Sequence, residues 1–82
     1  MSAVHELIER VHAGECSNAI DVEIEVAVFS PDENYASIRP NAAGTKVIYR
    51  THRGKEQTCW AADWTMFPQV AEAALKAREA AQ

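Results

Sequence analysis

A central β-hairpin is the feature of this sequence that most constrains its fold. Residues 45–51 are rich in β-branched and aromatic side chains, and residues 57–61 resume a strand pattern after a short connection. Gly54 lies in that connection, where a turn needs a positive φ. A shorter strand is predicted over residues 35–39, where Pro40 and Asn41 stop it. The sequence thus predicts a small antiparallel sheet with a central hairpin at about residues 45–62.

An amphipathic helix is predicted before the sheet, over residues 2–13. Ser2 stands at the N-cap position, and Gly14 stands where a glycine commonly follows a helix. The apolar residues follow the spacing of one helical stripe, which needs a core to face: Val4, Leu7, Ile8 and Val11.

A second helix is predicted after the sheet, over residues 66–81. Thr65 is its predicted N-cap, and Pro68 is tolerated in its first turn. Its predicted apolar face consists of Phe67, Val70, Ala71, Ala74 and Leu75.

Residues 17–29 fit two structures. Apolar β-branched residues alternate with acidic ones from Ile20 to Val26, which is typical of a strand. Helical spacing also places Ile20, Ile24 and Val28 on one face, with Ser17 or Asn18 as the N-cap. The local pattern slightly favours the strand. Pro31 ends the element in either case.

Length and composition limit the class of protein. The 82 residues form one predicted domain, residues 1–82, of the α+β class, in which the small antiparallel sheet packs against N-terminal helices and a C-terminal helix. A hydrophobic fraction of 48% and a charged fraction of 24% are typical of soluble globular domains. No apolar run approaches the roughly 20 residues of a membrane span. The two cysteines and the absence of a secretory pattern at Met1 predict a reducing cytoplasm.

Charge is distributed unevenly along the chain. Residues 1–41 carry eight acidic and two basic residues, whereas residues 42–82 carry four acidic and six basic residues. The net charge of −4 makes direct nucleic-acid binding unlikely, since phosphate neutralisation needs excess Lys and Arg. The acidic half can instead occupy a basic groove on a protein partner. The alternative interpretation is that the acidic and basic surfaces are simply solvated and differ only in the sign of their charge. The candidate partner-binding residues are Glu6, Glu9, Asp21, Glu23, Glu25, Asp32 and Glu33.

The hairpin and the segment after it supply a second set of candidates, for a ligand site or an interface. Basic groups interleaved with aromatic rings can bind a nucleotide by charge and stacking, although basic residues also solvate sheet edges. Two tryptophans so close together are expected to fill either the core or an interface. These candidates are Tyr49, Arg50, Arg53, Trp60, Asp63 and Trp64.

No catalytic constellation is recognised, and the chain is predicted not to be an enzyme. His5, Glu9 and His12 share one helical face and could approach a metal, but polar residues commonly flank an apolar stripe in this way. Cys16 and Cys59 form no Cys-x-x-Cys motif. No metal site and no cofactor are predicted.

The chain resembles the phage ABA-sandwich domain family of small proteins encoded by phages and prophages. The resemblance implies layered α/β/α packing and a helix over residues 17–29, against the local pattern. We follow the helix, because tertiary context often overrides β-propensity in one short segment. The resemblance also implies the cytoplasm of a bacterial host cell, and it transfers no catalytic residue. It rests on short segments that occur in order: residues 7–10 (LIER), 18–24 (NAIDVEI) leading into Ala27 and Val28, 42–49 (AAGTKVIY), 60–65 (WAADWT) and 73–78 (AALKAR).

The function expected from these observations is binding rather than catalysis. The leading prediction is a phage-derived or prophage-derived accessory protein that binds a host protein or protein complex, such as an acidic inhibitor of a host defence complex resembling anti-CRISPR proteins. One alternative is a protein that binds and sequesters a small nucleotide. Another is a structural or regulatory phage component that acts as a homo-oligomer.

Overall fold

The computed structural model describes residues 3–81 and confirms the α+β fold class. Two helices precede a three-stranded antiparallel sheet of order β1-β2-β3, and one helix follows it. A short 3₁₀ turn, Trp64–Met66, leads into the last helix. The elements in chain order are α1 (Ala3–His12), α2 (Asn18–Val28), β1 (Tyr35–Pro40), β2 (Val47–Thr51), β3 (Glu56–Cys59) and α3 (Pro68–Ala80).

Helix α1 ends as the sequence predicts. Gly14 has φ +89°, and its N–H donates to the Val11 carbonyl at 3.0 Å. The Glu15 N–H reaches back to the Arg10 carbonyl at 3.1 Å, which completes a Schellman motif. The predicted N-cap, Ser2, lies outside the described residues. Val4, Leu7 and Val11 are buried, and Ile8 is half-buried against them.

Residues 18–28 form helix α2, so the local preference for a strand is wrong. The Ser17 hydroxyl accepts a hydrogen bond from the Ile20 N–H at 3.2 Å, as expected of an N-cap. The alternating pattern arises because both sides of α2 are covered. Ile20 and Ile24 face α1 and α3, whereas Val22 faces the sheet. Residues two apart lie about 200° apart around a helix, so a helix buried on two sides also alternates.

The predicted hairpin is present, with a shorter second strand than expected. The Thr51 N–H donates to the Lys55 carbonyl at 2.8 Å, and Gly54 has φ +88° between them. Strand β3 ends at Cys59 rather than at Ala61, because Ala61 leaves the sheet to pack beside Val22 in the core.

Helix α2 is the middle layer of the molecule. It packs against α1 and α3 on one side and against β1 and β2 on the other. The outer face of the sheet is polar, and an ion pair between Arg39 and Glu56 crosses it. The layer order among the described residues is therefore the α1–α3 pair, then α2, then the sheet. It differs from the α/β/α packing implied by the resemblance. The exposed outer-face residues are Ser37, Arg39, Arg50, Glu56 and Thr58.

Candidate interaction surface

Asp21, predicted to contact a partner, is a buried structural residue. Its Oδ1 accepts hydrogen bonds from the Thr65 N–H at 2.8 Å and from the Thr65 hydroxyl at 2.9 Å. These bonds tie α2 to the 3₁₀ turn before α3. Thr65 was predicted to cap α3, but the cap position belongs to Phe67, and the Thr65 hydroxyl bonds to Asp21 instead.

Glu25, a second acidic candidate, also turns inward. Its Oε1 accepts hydrogen bonds from the Trp64 indole N–H at 2.8 Å and the Ala62 N–H at 3.2 Å. Its Oε2 accepts a hydrogen bond from the Tyr49 hydroxyl. Burial, together with this bond to Glu25, raises the pKa of Tyr49 above its ordinary value of 10.0. Glu25 thus joins α2, the sheet and the segment after β3.

Glu6, Glu9 and Glu23 lie on the two N-terminal helices, where basic groups are interleaved with them. Glu9 pairs with His5 at 3.2 Å, and Glu23 pairs with Arg10 at 3.0 Å. Glu6 lies exposed beside a groove between α1 and α2 that Arg10 also lines.

Asp32 and Glu33 lie in the loop between α2 and β1. Asp32 Oδ1 accepts hydrogen bonds from the N–H groups of Tyr35 and Asn34, both at 2.8 Å, and these bonds lower the pKa of Asp32. Glu33 is exposed and lines a shallow pocket with Arg53 and Lys55 of the hairpin turn. The seven acidic candidates are therefore divided among internal contacts, the helices and this loop.

The proposed nucleotide-binding residues are not brought together. Tyr49 and Arg50 are consecutive on β2, so their side chains project from opposite faces of the sheet. The Tyr49 ring packs on the inner face, with its centroid 4.8 Å from that of Tyr35. Arg53 lies in the hairpin turn, whereas Trp60 follows the strand end at the opposite end of the hairpin.

The two tryptophans have different environments. Trp64 is half-buried against the helical core, and its indole N–H is bonded to Glu25. Trp60 is 67% exposed, and the Lys46 ammonium lies 4.5 Å from the centroid of its ring. Asp63 is exposed and precedes the 3₁₀ turn. Trp64 is therefore a core residue, and Trp60 is a surface residue.

Helix α3 carries an apolar surface that the sequence analysis did not identify. The predicted single apolar face is wrong in part, since Ala71 and Leu75 are buried but Phe67 and Val70 are 63% and 58% exposed. Helical geometry places Val70, Ala73, Ala77 and Ala80 away from Ala71 and Leu75. Met66 and Phe67, in the turn before α3, line one shallow pocket with Val70. We call this surface the outer strip. It consists of the exposed residues Met66, Phe67, Val70, Ala73, Ala77 and Ala80.

Charged side chains of α3 mostly point away from the outer strip. Glu72 pairs with His12 of α1 at 3.4 Å, and Glu79 pairs with His5 of α1 at the same distance. Arg78 reaches the Ser30 hydroxyl. Lys76 is the exposed charge of the helix and flanks the outer strip. A signal for this surface was present in the sequence, because the apolar residues of 66–81 cover more of the helix circumference than one buried face needs.

Within residues 3–81, no group of three His, Cys, Asp or Glu side chains is placed to hold a metal ion. His5 and His12, considered above as weak metal ligands, contact carboxylates of α3 instead. Cys16 is an exposed free thiol, and Cys59 is a half-buried one. No helix in the described part of the chain has the length and apolar character needed to cross a membrane.

Comparison with known proteins gives no relative. No family model, no curated protein and no solved structure matches the chain.

Proposed function

We propose that this chain acts by binding another protein, and that the outer strip of α3 is the contact surface. The observation that carries the proposal is the exposure of Met66, Phe67 and Val70, at 67%, 63% and 58%, at the start of a helix whose inner side is already buried. A surface helix of a globular protein normally directs its apolar residues towards the core and its polar residues outwards. Water covers the second side of α3 in the isolated chain, at a free-energy cost that a partner would remove.

The size of the strip supports a binding role. Its three large side chains are each more than half exposed, and the largest exposed apolar patch of a monomer is often functional. The strip also borders a groove of about 380 Å³ lined by Ala62, Trp64 and Phe67. Large exposed side chains beside a groove are the arrangement found at the centre of many protein interfaces.

The proposal does not use the acidic residues as a common surface. Asp21 and Glu25 are engaged inside the molecule, and Glu23 is paired with Arg10. A basic groove on a partner would therefore meet fewer free carboxylates than the sequence alone suggests. In the setting implied by the resemblance, a phage or prophage accessory protein, the candidate partners are proteins of the bacterial cell. The proposal is for a binding protein and assigns no catalytic residue.

Site-specific photo-crosslinking in bacterial cells tests this proposal. A photoreactive amino acid replaces Val70 on the strip, or Ala19, an exposed residue of α2, as the matched control. We expect protein adducts of the full chain from position 70 and none above background from position 19. Equal adduct yields at the two positions, or no adduct at position 70, would contradict the proposal. Mass spectrometry of the adduct identifies the bound chain.

A further inference from the structure

We propose that the protein bound by the outer strip is a second copy of this chain, whose own α3 packs against it in antiparallel orientation. This inference rests on the proposed function, because it names the occupant of the same surface. Three properties of the strip support it: the order of its side-chain sizes, its charge and its area.

Side-chain size changes along the strip in one direction. Met66, Phe67 and Val70 are large and lie at the N-terminal end, whereas Ala77 and Ala80 are small and lie at the C-terminal end. In a two-fold antiparallel pair centred near Ala73, the large end of each copy faces the small end of the other. Val70 is then level with residues 76 and 77 of the second copy and packs on Ala77, and Met66, in the turn before α3, lies towards the end of the second helix that carries Ala80.

That arrangement makes the strip complementary to itself. A two-fold interface uses the same surface on both copies, so each large side chain needs a small site on the same strip. A parallel pair would place large residues against large ones and leave a gap between the alanines. Close packing at the level of a protein interior therefore favours the antiparallel pair.

The charge of the strip permits association of two acidic chains. The chain has a net charge of −4, so two copies repel each other at most orientations. On α3, however, Glu72 and Glu79 are directed towards the histidines of α1. Antiparallel pairing brings no carboxylate of one strip against a carboxylate of the other. Lys76 flanks the contact between Val70 and Ala77, where its aliphatic stem can pack and its ammonium can stay in water.

The area suits a weak, reversible dimer. A standard interface buries about 800 Å² on each partner, and weak or transient contacts bury less. The strip offers three large side chains that are 58–67% exposed and three exposed alanines, which makes an interface at the small end of that range. The helix is about 20 Å long, at 1.5 Å per residue, so one helix pair accounts for the contact.

A cysteine placed at the centre of the strip tests this geometry in the purified full chain. Cys16→Ser and Cys59→Ala remove the two free thiols, and Ala73→Cys adds one at the predicted two-fold axis. Helices packed about 8–10 Å apart, with Cα atoms about 2.3 Å from each axis, leave roughly 3.4–5.4 Å between facing Cα atoms. This range overlaps the roughly 4.4–6.8 Å that a disulfide requires. We expect Ala73→Cys to form a covalent dimer on mild oxidation.

Ala19→Cys in the same background is the matched control, since Ala19 is also an exposed helical alanine. Equal dimer yields from the two variants, with native far-UV circular dichroism in both, would overturn the inference. If the thiol-free background fails to fold, the mass of the wild-type chain decides, and a mass that stays at 9.1 kDa at the highest soluble concentration overturns it. If photo-crosslinking from position 70 then captures a different protein, the proposed function stands and this inference alone fails.

Discussion

Helices α2 and α3 are both apolar on two sides, but only α2 is covered on both. Ile24 of α2 packs against the other helices and Val22 packs against the sheet, and both are almost fully buried. On α3, Leu75 is fully buried while Val70 is 58% exposed. Both apolar sides of α2 therefore stabilise the monomer, whereas on α3 only the inner apolar side is buried and the outer side stays in contact with water.

The difference between α2 and α3 is whether folding of the single chain buries their apolar residues. An apolar side chain stabilises a fold only if folding removes it from water. Met66, Phe67 and Val70 remain 58–67% exposed, so the outer strip stabilises the isolated chain less than an equally apolar buried surface would. The proposed dimer would remove the strip from water in a second step.

Truncation of the two most buried large side chains should have the largest effect. We expect Ile24→Ala and Leu75→Ala each to lower the free energy of unfolding by about 2–5 kcal/mol, from lost burial plus the cavity left behind. Chemical denaturation at low protein concentration measures this. A loss below about 1 kcal/mol at Leu75 would show that the inner side of α3 is not part of the core and would break the comparison.

Removal of the Asp21 carboxylate should have the next largest effect. We expect Asp21→Ala to cost about 1–3 kcal/mol of unfolding free energy, because the buried N–H and hydroxyl of Thr65 lose their acceptor. Asp21→Asn retains an acceptor oxygen and should cost less. Glu33→Ala, at an exposed acidic residue, is the control, with an expected change within about 0.5 kcal/mol. Similar losses for Asp21→Ala and Glu33→Ala would refute the buried role of Asp21.

A matched pair of valines compares the covered and uncovered surfaces directly. Val22 is 2% exposed and Val70 is 58% exposed, so the same truncation removes a buried group in one case and a solvated group in the other. We expect Val22→Ala to cost about 1.5–2 kcal/mol, at about 0.8 kcal/mol per buried carbon. Val70→Ala should change the stability of the monomer by less than about 0.5 kcal/mol. If the two variants lose the same unfolding free energy in dilute solution, the outer strip is already covered within one chain.

The smallest expected effect is the alkaline pH dependence set by Tyr49, on the sheet side of α2. Burial and the bond to Glu25 raise its pKa in the folded chain above 10.0, so the folded state holds the phenol proton more tightly than the unfolded state. The stabilisation is fully present below pH 10 and is lost as the pH rises above 10. Urea denaturation across this range should show that the free energy of unfolding falls more steeply with pH for wild type than for Tyr49→Phe. If it falls in parallel for the two proteins, the raised pKa of Tyr49 in the folded chain is contradicted.

The sequence was sufficient for the elements whose signals are local. Gly14 through its backbone N–H and Ser17 through its hydroxyl set helix ends by hydrogen bonds to residues only three positions away, and Gly54 occupies the hairpin turn as predicted. The structure of residues 17–29 needed more than local preference. A helix covered on two opposite sides repeats the alternation of a strand, and only the packing partners distinguish the two.

The roles of the acidic residues were not predictable for a different reason. Asp21 bonds to Thr65 and Glu25 bonds to Trp64, pairs that are 44 and 39 positions apart in the sequence. Charge patterning along the chain treats both carboxylates as surface groups, because it contains no information about such distant donors. The orientation of α3 was missed similarly, since a broad apolar face does not indicate which part of it meets the core.

Sedimentation equilibrium over a wide concentration range tests the central claim most directly. The wild-type chain should rise from the monomer mass of 9.1 kDa towards twice that mass as its concentration increases. Ala73→Glu places two carboxylates at the predicted two-fold axis and should remain at 9.1 kDa, whereas Ala19→Glu should behave as wild type. A wild-type mass that does not change with concentration, or a dimer that persists unweakened in Ala73→Glu, would contradict the account.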